Sequence, residues 1–400
     1  MAKLITIYTQ AYNVEPYIEQ CIKSVISQTY REFEWLLIEN GSTDKTREII
    51  KRYVQSDNRI KVTYFDENRT GFSNDYIRDN ANGEYIVKLD SDDWLESEYL
   101  EKLLEPMEKQ GADISICNAR RYDEETGEEC RHNHVQLQGV YPIQNVIKDN
   151  YLDIRFNISP YWAKMFRKNI FSKILSKVTE IDKLLKIGNY YGGDAVFMYC
   201  YLSECNTMAL SNEKLYNYRI CKNGSSTRTM NTKRLECYFV LRNIEKEFLH
   251  KVNADTTQNI ILVEMSFWEN IAQLFKHIIN QNWTMTQKMK AMSEICSDSR
   301  VRKIRRETHI SKVRTIMSTY IAWAYMNATD DDNLYLKDML MLLDPDIFET
   351  VSDTTYEWIR KNQILMSYII MGEFSQAKEY MKQISIPDNQ LYMQELLVRL

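Results

Sequence analysis

Three aspartates, Asp90, Asp92 and Asp93, lie within four positions of the sequence, directly after the apolar segment EYIVKL at 84–89. Side chains two residues apart in an extended chain point to the same side, so Asp90 and Asp92 would bring two carboxylates together. Such a pair repels unless a cation lies beside it, and Mg²⁺ or Mn²⁺ binds carboxylate oxygens while keeping waters and substrate phosphates in its shell. The pattern therefore favours a metal–diphosphate site at Asp90 and Asp92. For Asp93 we favour capping of the helix that follows.

The segments around these acids alternate between strand and helix patterns. Short apolar, β-branched runs predict strands, and apolar residues three or four positions apart predict helices. The predicted strands are 4–9, 33–39, 60–65, 84–89 and 113–119, and the predicted helices are 15–29, a segment after the NGST turn at 40–43, 73–82 and 97–109. The alternation predicts right-handed βαβ units, and hence an α/β fold with a mostly parallel central sheet.

Polar groups follow four of the predicted strands, at the point where each strand ends. Ligands of a parallel α/β sheet bind beyond the carboxyl ends of its strands. The four ends are 9–13, 39–42, 66–71 and 90–93, and all carry polar or carboxylate side chains. We expect them to converge on one crevice.

Composition restricts the class of protein. The formal net charge of −5 argues against a general nucleic-acid binder. Eight cysteines without a C-x-x-C pair indicate reduced thiols in a cytoplasmic protein. We expect no transmembrane segment and no signal peptide, because the apolar runs are too short or carry charges.

The sequence changes character after about residue 228, where strand patterns fade and helical periodicity dominates. We predict a boundary there, with domains at 1–228 and 229–400. The segment 371–384 is similar to half of a tetratricopeptide-type hairpin, but no 34-residue period accompanies it. A plain helical bundle, used for acceptor, partner or oligomer contacts, is therefore the favoured interpretation of the second domain.

Two segments carry a family resemblance. LITIYTQAYNVEPYIEQCIKSVISQTYREFEWLLIENGSTDKT resembles the opening of inverting family 2 glycosyltransferases, which have the GT-A fold, and ANGEYIVKLDSDDWL resembles their D-x-D segment. The resemblance is close over residues 3 to 120 and looser to about residue 228. A D-x-D tripeptide alone is common, but its combination with the opening segment is specific.

For the donor side, the resemblance implies a nucleotide site at the first two strand ends. Tyr12 stands where a ring stacks on the base, and Gln10 is placed to bond the base or to shape the turn. Glu39 and Asn40 stand where the family has Asp-Asp, whose second acid contacts the base. Asn40 carries no charge, which leaves the base of the donor open.

The resemblance also assigns the acidic run to the nucleotide sugar. Asp92 is expected to bind Mn²⁺ or Mg²⁺ directly, and Asp90 to face the ribose or the metal. Ser91 lies between them and is included in the nucleotide-sugar site.

Three further residues are implied by weaker parts of the resemblance. Asp194, in YYGGDAVFMYCYL at 190–202, matches the acidic motif of the catalytic base, although a helix N-cap is the simpler alternative. Trp162 matches the acceptor side as a sugar-stacking platform, or is a core residue. Arg219 matches the segment that closes over the diphosphate, or forms only a surface salt bridge.

The basic segment RVRKIRRETHISKVR, at 300–314, is the remaining feature with chemical potential. A solvated helix face is the ordinary outcome for such a run, and docking to an anionic membrane surface is the sharper alternative.

Together these patterns predict a metal-dependent inverting glycosyltransferase with a nucleotide-sugar donor, most simply a UDP-sugar. The acceptor would be a glycan, a lipid-linked sugar or a protein in bacterial-type surface glycan assembly. Contact with the inner membrane face and oligomerisation through the helical domain stay open. A catalytically idle scaffold of the same fold is the alternative.

Overall fold

The computed structural model describes residues 2–69, 73–130, 134–185, 192–221, 234–308, 311–328, 332–343, 356, 359–360 and 362–383. The chain divides into two compact units, Met1–Ile260 and Ile261–Leu400. The boundary predicted at residue 228 falls in the segment 222–233, outside the described residues. The two predicted domains therefore stay a prediction.

The described part of the first unit is built around one nine-stranded sheet with the order β3-β2-β1-β4-β8-β6-β9-β5, and β7 pairs with β9 beside this path. The strands are β1 (Ile5–Ala11), β2 (Phe33–Asn40), β3 (Ile60–Phe65), β4 (Tyr85–Lys88), β5 (Trp94–Leu95), β6 (Ile114–Asp123), β7 (Gly139–Pro142), β8 (Lys164–Arg167) and β9 (Thr207–Ile220).

Helices follow most of the strands. In the order of the chain they are α1 (Ile18–Ile26), α2 (Thr46–Val54), α3 (Ser73–Asn80), α4 (Tyr99–Lys109), α5 (Ile143–Ile158), α6 (Lys168–Leu185), α7 (Gly193–Leu202), α8 (Arg234–Lys251) and α9 (Thr257–Ile279).

Both faces of the sheet are covered, as expected for βαβ units. On one face, the buried side chains of Ile7 and Val87 share a core with apolar residues of α1 and α4. On the opposite face, Phe166 of β8 meets the rings of Phe197 and Tyr201 from α7. Successive strand residues point to opposite faces, so Tyr8 and Lys88, next to Ile7 and Val87, belong to the face that α7 covers.

The first half of the sheet agrees with the prediction from the sequence. Strands β3, β2, β1 and β4 pair in parallel, and the α/β class followed by a helical C-terminal region is confirmed. Gly83 lets β4 approach β1, because a Cβ atom there would lie 2.5 Å from the backbone nitrogen of Thr6.

The second half contains elements that the sequence did not predict. Strand β8 lies antiparallel between β4 and β6, and β9 pairs in parallel with β6 and antiparallel with β5 and β7. The sheet is therefore mixed on this side. Strand β9 runs for 14 residues and reaches the acidic run of the sequence, where β5 pairs with it.

The described part of the second unit is helical. After α9 it contains α10 (Met285–Ser297), α11 (Ser299–Glu307), α12 (Ser311–Asn327), α13 (Asn333–Leu343), α14 (Gln363–Met371) and α15 (Phe374–Gln383). A capping box at Thr284 starts α10, with hydrogen bonds in both directions between Thr284 and Gln287.

The basic segment predicted as a solvated face or a membrane contact has a partly internal role. Arg302 pairs with Asp338 at 2.7 Å, and Arg305 donates to the carbonyl oxygens of Leu342 and Leu343 at the end of α13. These arginines stabilise the helix end by satisfying its last carbonyl groups. Within the described residues, no helix combines the length and the apolar character that crossing a bilayer requires.

Candidate active site

The acidic run begins where β4 ends, next to the carboxyl end of β1. The backbone nitrogen of Leu89 still donates to Tyr8 at 3.0 Å, and the chain then turns, with the nitrogen of Asp93 donating to the carbonyl oxygen of Asp90 at 3.1 Å. The extended geometry expected between Asp90 and Asp92 is therefore wrong. Ser91 is buried within this turn.

Asp93 has a structural role, but a different one from the expected helix cap. Its carboxylate accepts hydrogen bonds from the Tyr216 hydroxyl and the Arg219 backbone nitrogen, both at 2.7 Å. Helix α4 has Glu98 at its N-cap, without a side-chain capping bond. Burial, followed by the charges of Asp90 and Asp92, holds the pKa of Asp93 well above its usual range.

Asp92 is half-buried. Burial and then the neighbouring carboxylate of Asp90 raise the pKa of Asp92, while Arg219 and Cys221 act in the opposite direction. The Cys221 thiol lies 3.8 Å from a carboxylate oxygen of Asp92. The Arg219 guanidinium binds the Asp92 main-chain carbonyl at 2.9 Å instead.

Lys88 lies at the candidate site, although no pattern in the sequence indicated it. Its Nζ lies 3.2 Å from Oδ1 of Asp90, and it sits in register with Tyr8 across the β1–β4 pair. The ammonium lies 5.1 Å from the ring centroid of Tyr161. Burial lowers the pKa of Lys88, but the carboxylates of Asp90 and Asp194 raise it by more, so the ammonium is retained.

Asp194 lies in the first turn of α7 and is exposed. The N-cap is Gly192, whose φ of 83° is left-handed, so the alternative of a simple N-cap is wrong for Asp194. The positive end of the helix dipole favours a carboxylate at this place. Because the charges of both Asp194 and Asp90 act on Lys88, the predicted base and the predicted metal-side acid lie in one region.

The loops that follow β1 and β2 are tied together. Asn13, in a left-handed conformation with φ of 50°, accepts a hydrogen bond from the Thr43 backbone nitrogen at 2.8 Å. Its own backbone nitrogen donates to the Ser42 hydroxyl at 3.1 Å. Tyr12, next to it, exposes 41 % of its surface, which is compatible with the predicted stacking on a base.

Glu39 and Asn40 are both engaged by the protein itself. Glu39 is fully buried, pairs with Arg47 at 2.5 Å and accepts a hydrogen bond from the Ser42 nitrogen at 2.7 Å. These contacts hold the turn after β2. Glu39 is therefore bound within the protein, where it supports the turn after β2.

The Asn40 side chain clasps the loop after β3. Its Oδ1 accepts from the Arg69 backbone nitrogen at 3.0 Å, and its Nδ2 donates to the Arg69 carbonyl at 3.2 Å and to Asn68 at 2.6 Å. Gln10 donates to the same carbonyl at 3.4 Å. Two of the residues predicted to contact the base thus contact one backbone position.

Arg219 is held between two aromatic rings rather than left free for an anion. Its guanidinium carbon lies 4.8 Å from the ring centroids of both Tyr17 and Trp94. A terminal nitrogen also donates to Gln20 at 2.7 Å. The predicted alternative, a surface salt bridge, is not among its contacts in the described residues. Its contacts instead fix the backbone of Asp92.

Trp162 lies flat against β9. Its ring centroid is 5.2 Å from that of Tyr216 and 5.1 Å from that of Tyr218, with nearly parallel planes. Lys164 supports this loop from the buried side, since its Nζ donates to the carbonyl oxygens of Asn157 and Trp162 at 2.7 and 3.1 Å. Burial lowers the pKa of Lys164 to about 7. Trp162 remains half-buried, so part of its surface is still available to a sugar.

The donor set decides whether a metal fits here. No group of three or more His, Cys, Asp or Glu side chains arranged for a metal occurs among the residues that the structure describes. Asp90 and Asp92 supply carboxylate oxygens, which Mg²⁺ and Mn²⁺ prefer, and the raised pKa of Asp92 marks a charge that a cation would offset. The residues fit a cation that completes its shell with water and diphosphate oxygens.

Comparisons with known proteins show which family and which proteins the chain is similar to. The model of the family described as Glycosyl transferase family 2 matches residues 6–175. Glycosyltransferase GlyA of Streptococcus pneumoniae serotype 4 is 31% identical over 236 residues, which is 57% of this chain and 32% of GlyA. Glycosyltransferase GlyG of the same organism is 29% identical over 239 residues, 57% of this chain and 74% of GlyG. The chain thus matches only about a third of the length of GlyA.

Among solved structures, S. aureus TarS 1-349 in complex with UDP-GlcNAc is similar at 15% sequence identity and a TM-score of 0.46. The similarity covers 95% of this chain and 91% of that one.

Proposed function

We propose that the chain, which the model of the Glycosyl transferase family 2 matches over residues 6–175, is a metal-dependent, inverting glycosyltransferase. It moves a sugar from a nucleotide-diphosphate donor, most simply a UDP-sugar, to a hydroxyl group of an acceptor. The acceptor is a glycan, a lipid-linked sugar or a protein in surface glycan assembly. The observation that supports this most is the placement of Asp194 within electrostatic reach of the Lys88–Asp90 pair.

Asp194 is the base of the proposed reaction. It takes the proton of the acceptor hydroxyl while that oxygen attacks the anomeric carbon of the donor sugar. Attack opposite the leaving diphosphate inverts the anomeric configuration, and no covalent intermediate with the protein is needed. Its exposure leaves the carboxylate open to an acceptor.

Asp92 and Asp90 hold the donor end. Bound there, Mn²⁺ or Mg²⁺ would neutralise the negative charge that develops on the leaving diphosphate. Arg219 keeps the Asp92 backbone in place through its bond to the carbonyl oxygen. Tyr12 stacks on the base, and Trp162 offers its open surface to the acceptor sugar.

A donor screen tests the proposal. The full chain is incubated with Mn²⁺ and, separately, UDP-glucose, UDP-galactose, UDP-N-acetylglucosamine and GDP-mannose, and both the melting temperature and donor hydrolysis are measured. At least one donor should raise the melting temperature and be hydrolysed, and EDTA should abolish both effects. If none does either, the idle scaffold replaces the enzyme as the better proposal.

The role of Asp194 gives a sharper test. Asp194→Asn should keep donor binding and lower turnover by about 10²- to 10⁴-fold, because only the proton acceptor is removed. Glu101→Gln is the matched control, since Glu101 also lies in the first turn of a helix, α4, but bonds Thr29. Turnover that survives in Asp194→Asn would assign the base to another residue.

A further inference from the structure

The three acids of the run differ in the partners that the chain gives them. Asp93 is bonded by Tyr216 and Arg219. Asp90 is paired with the Lys88 ammonium at 3.2 Å. Asp92 has no Lys, Arg or His side chain within ion-pair distance among the described residues, and its nearby arginine binds its carbonyl instead of its carboxylate. One acid of the three is thus left for an external cation.

The position of Lys88 is fixed by the sheet. It is the last residue of β4, two positions before Asp90, and it is in register with Tyr8 of β1. Its side chain is 23 % exposed, and that of Asp90 is 33 % exposed. The Nζ–Oδ1 distance of 3.2 Å makes the two side chains an ion pair within the candidate site.

The proposed metal would have to share Asp90 with this ammonium. An ammonium and a divalent cation repel each other, and both cannot lie against one carboxylate without a loss in binding of the metal. The oxygen of Asp90 that faces Lys88 is already satisfied. The metal then has one carboxylate ligand fewer, and the diphosphate of the donor supplies negative charge in place of Asp90.

We propose that Lys88 is a built-in countercharge that withdraws Asp90 from the metal, so that the cation is held on the protein side by Asp92 and binds tightly only together with the diphosphate. This inference rests on the proposed function for the identity of the diphosphate ligand. Lys88 is here a positioning residue, which acts through Asp90 and touches neither the acceptor nor the reacting bond.

The affinity for Mn²⁺, measured by calorimetry and by the electron paramagnetic resonance of free Mn²⁺, tests this without any sugar donor. Lys88→Met should bind Mn²⁺ at least about tenfold more tightly than the unchanged chain, because a nearby positive charge is removed. Adding UDP should reduce the difference, since the diphosphate supplies the missing charge in the unchanged chain. Lys102→Met is the matched control, because Lys102 pairs with Glu213 at 3.3 Å away from the crevice.

Two more variants guard against a folding defect. Lys88→Arg keeps the countercharge and should keep the Mn²⁺ affinity. The double variant Lys88→Met/Asp90→Asn removes both charges of the pair and should return the affinity to within about threefold of the unchanged chain, because the carboxylate freed by the loss of Lys88 is then removed as well.

Lys88→Met binding Mn²⁺ equally or more weakly, with normal circular dichroism, overturns the proposal, as does a double variant that binds as tightly as Lys88→Met alone. If Lys88→Met does not fold, the Mn²⁺ affinities of Lys88→Arg and of the double variant test the proposal, and a change of more than about threefold in either one contradicts it. The proposed function is tested separately. If the variants show these differences in Mn²⁺ affinity but the chain turns over no nucleotide sugar, the proposal for Lys88 stands and the proposed enzyme activity is wrong.

Discussion

The Asn40 side chain holds the loop after β3 through hydrogen bonds that an aspartate could not all form. Its amide meets both the backbone nitrogen and the carbonyl oxygen of Arg69, so its orientation is set by a donor and an acceptor at once. The resemblance implies an aspartate here that contacts the base. In this chain the position instead fixes the wall of the crevice after β3.

Asn40→Asp should therefore weaken nucleotide binding rather than restore a base contact. The new carboxylate oxygen would face the Arg69 carbonyl and the Asn68 side-chain oxygen, where Nδ2 now donates at 3.2 and 2.6 Å. Two acceptor–acceptor contacts should lower the free energy of unfolding by roughly 1–3 kcal/mol, which urea unfolding measures, and the displaced loop should lower UDP affinity, which calorimetry measures. Asn80→Asp, at an exposed helix end, is the control. Tighter UDP binding by Asn40→Asp would contradict the proposed role of Asn40 in holding the loop after β3.

Asp92 and Asp93 are adjacent but should respond differently to the same change. Asp93→Asn leaves one acceptor oxygen where two now accept from Tyr216 and Arg219 in a buried place, and should lower the free energy of unfolding by roughly 1–3 kcal/mol. Asp92→Asn should leave stability within about 0.5 kcal/mol and lower Mn²⁺ affinity. Urea unfolding and Mn²⁺ titration of both variants separate the two roles. The reverse pattern would exchange their assignments.

At the scale of elements, a buried carboxylate on β2 joins four segments. Glu34 accepts hydrogen bonds from Thr6 of β1 at 2.8 Å, from the Asn82 backbone at 2.6 Å and from Lys61 of β3 at 2.5 Å. Its side chain is 5 % exposed. The central parallel strands therefore share one acid, which lies at the end of the sheet opposite the crevice.

Glu34 should make the free energy of unfolding depend on pH in the acidic range. Burial raises its pKa, but the bonds from Lys61, Asn82 and Thr6 outweigh this and lower the pKa to about 2. A folded pKa below the unfolded value of about 4.3 stabilises the fold above pH 4.3, and this contribution is lost as the pH falls toward 2. Glu34→Gln should lower the free energy of unfolding at pH 7 by about 2–3 kcal/mol and flatten its fall below pH 4.

Urea unfolding at pH 7, 5 and 3 checks this prediction. Glu32→Gln is the matched control, because Glu32 is exposed two positions earlier. Equal acid sensitivity of Glu34→Gln and the unchanged chain would show that the network does not carry the effect.

At the scale of the whole molecule, the sequence predicted the parts of the fold in which local pattern and tertiary role coincide. Strands β1 to β4 and β6 are apolar and alternate with helices, so periodicity found them within a few residues. Strand β8, with the letters KMFR, is short and half basic, and β9 is interrupted by SNEK at 211–214. Their burial follows from neighbouring strands, which no local pattern shows.

The site divides in the same way. The places of Asp90 and Asp92 after β4 and of Asp194 at the start of α7 could be predicted, because strand ends and helix starts are visible in the sequence; the roles of these residues stay predictions. Lys88 could not, since a lysine in an apolar strand ordinarily points to solvent. The signal that could have found it is its spacing: it stands two positions before Asp90 and alternates with Val87 and Leu89, which places it on the same face as the acid.

Strand β9 has a practical consequence for engineering. It holds the acidic run through Tyr216 and Arg219, and it carries Trp162 on Tyr216 and Tyr218. The predicted donor end and the predicted acceptor side thus both rest on one strand. A chimera that takes only residues 159–167 from a relative would pack a different side chain at position 162 against the unchanged rings of Tyr216 and Tyr218. The smallest segment set that can be exchanged intact is 159–167 together with 215–219.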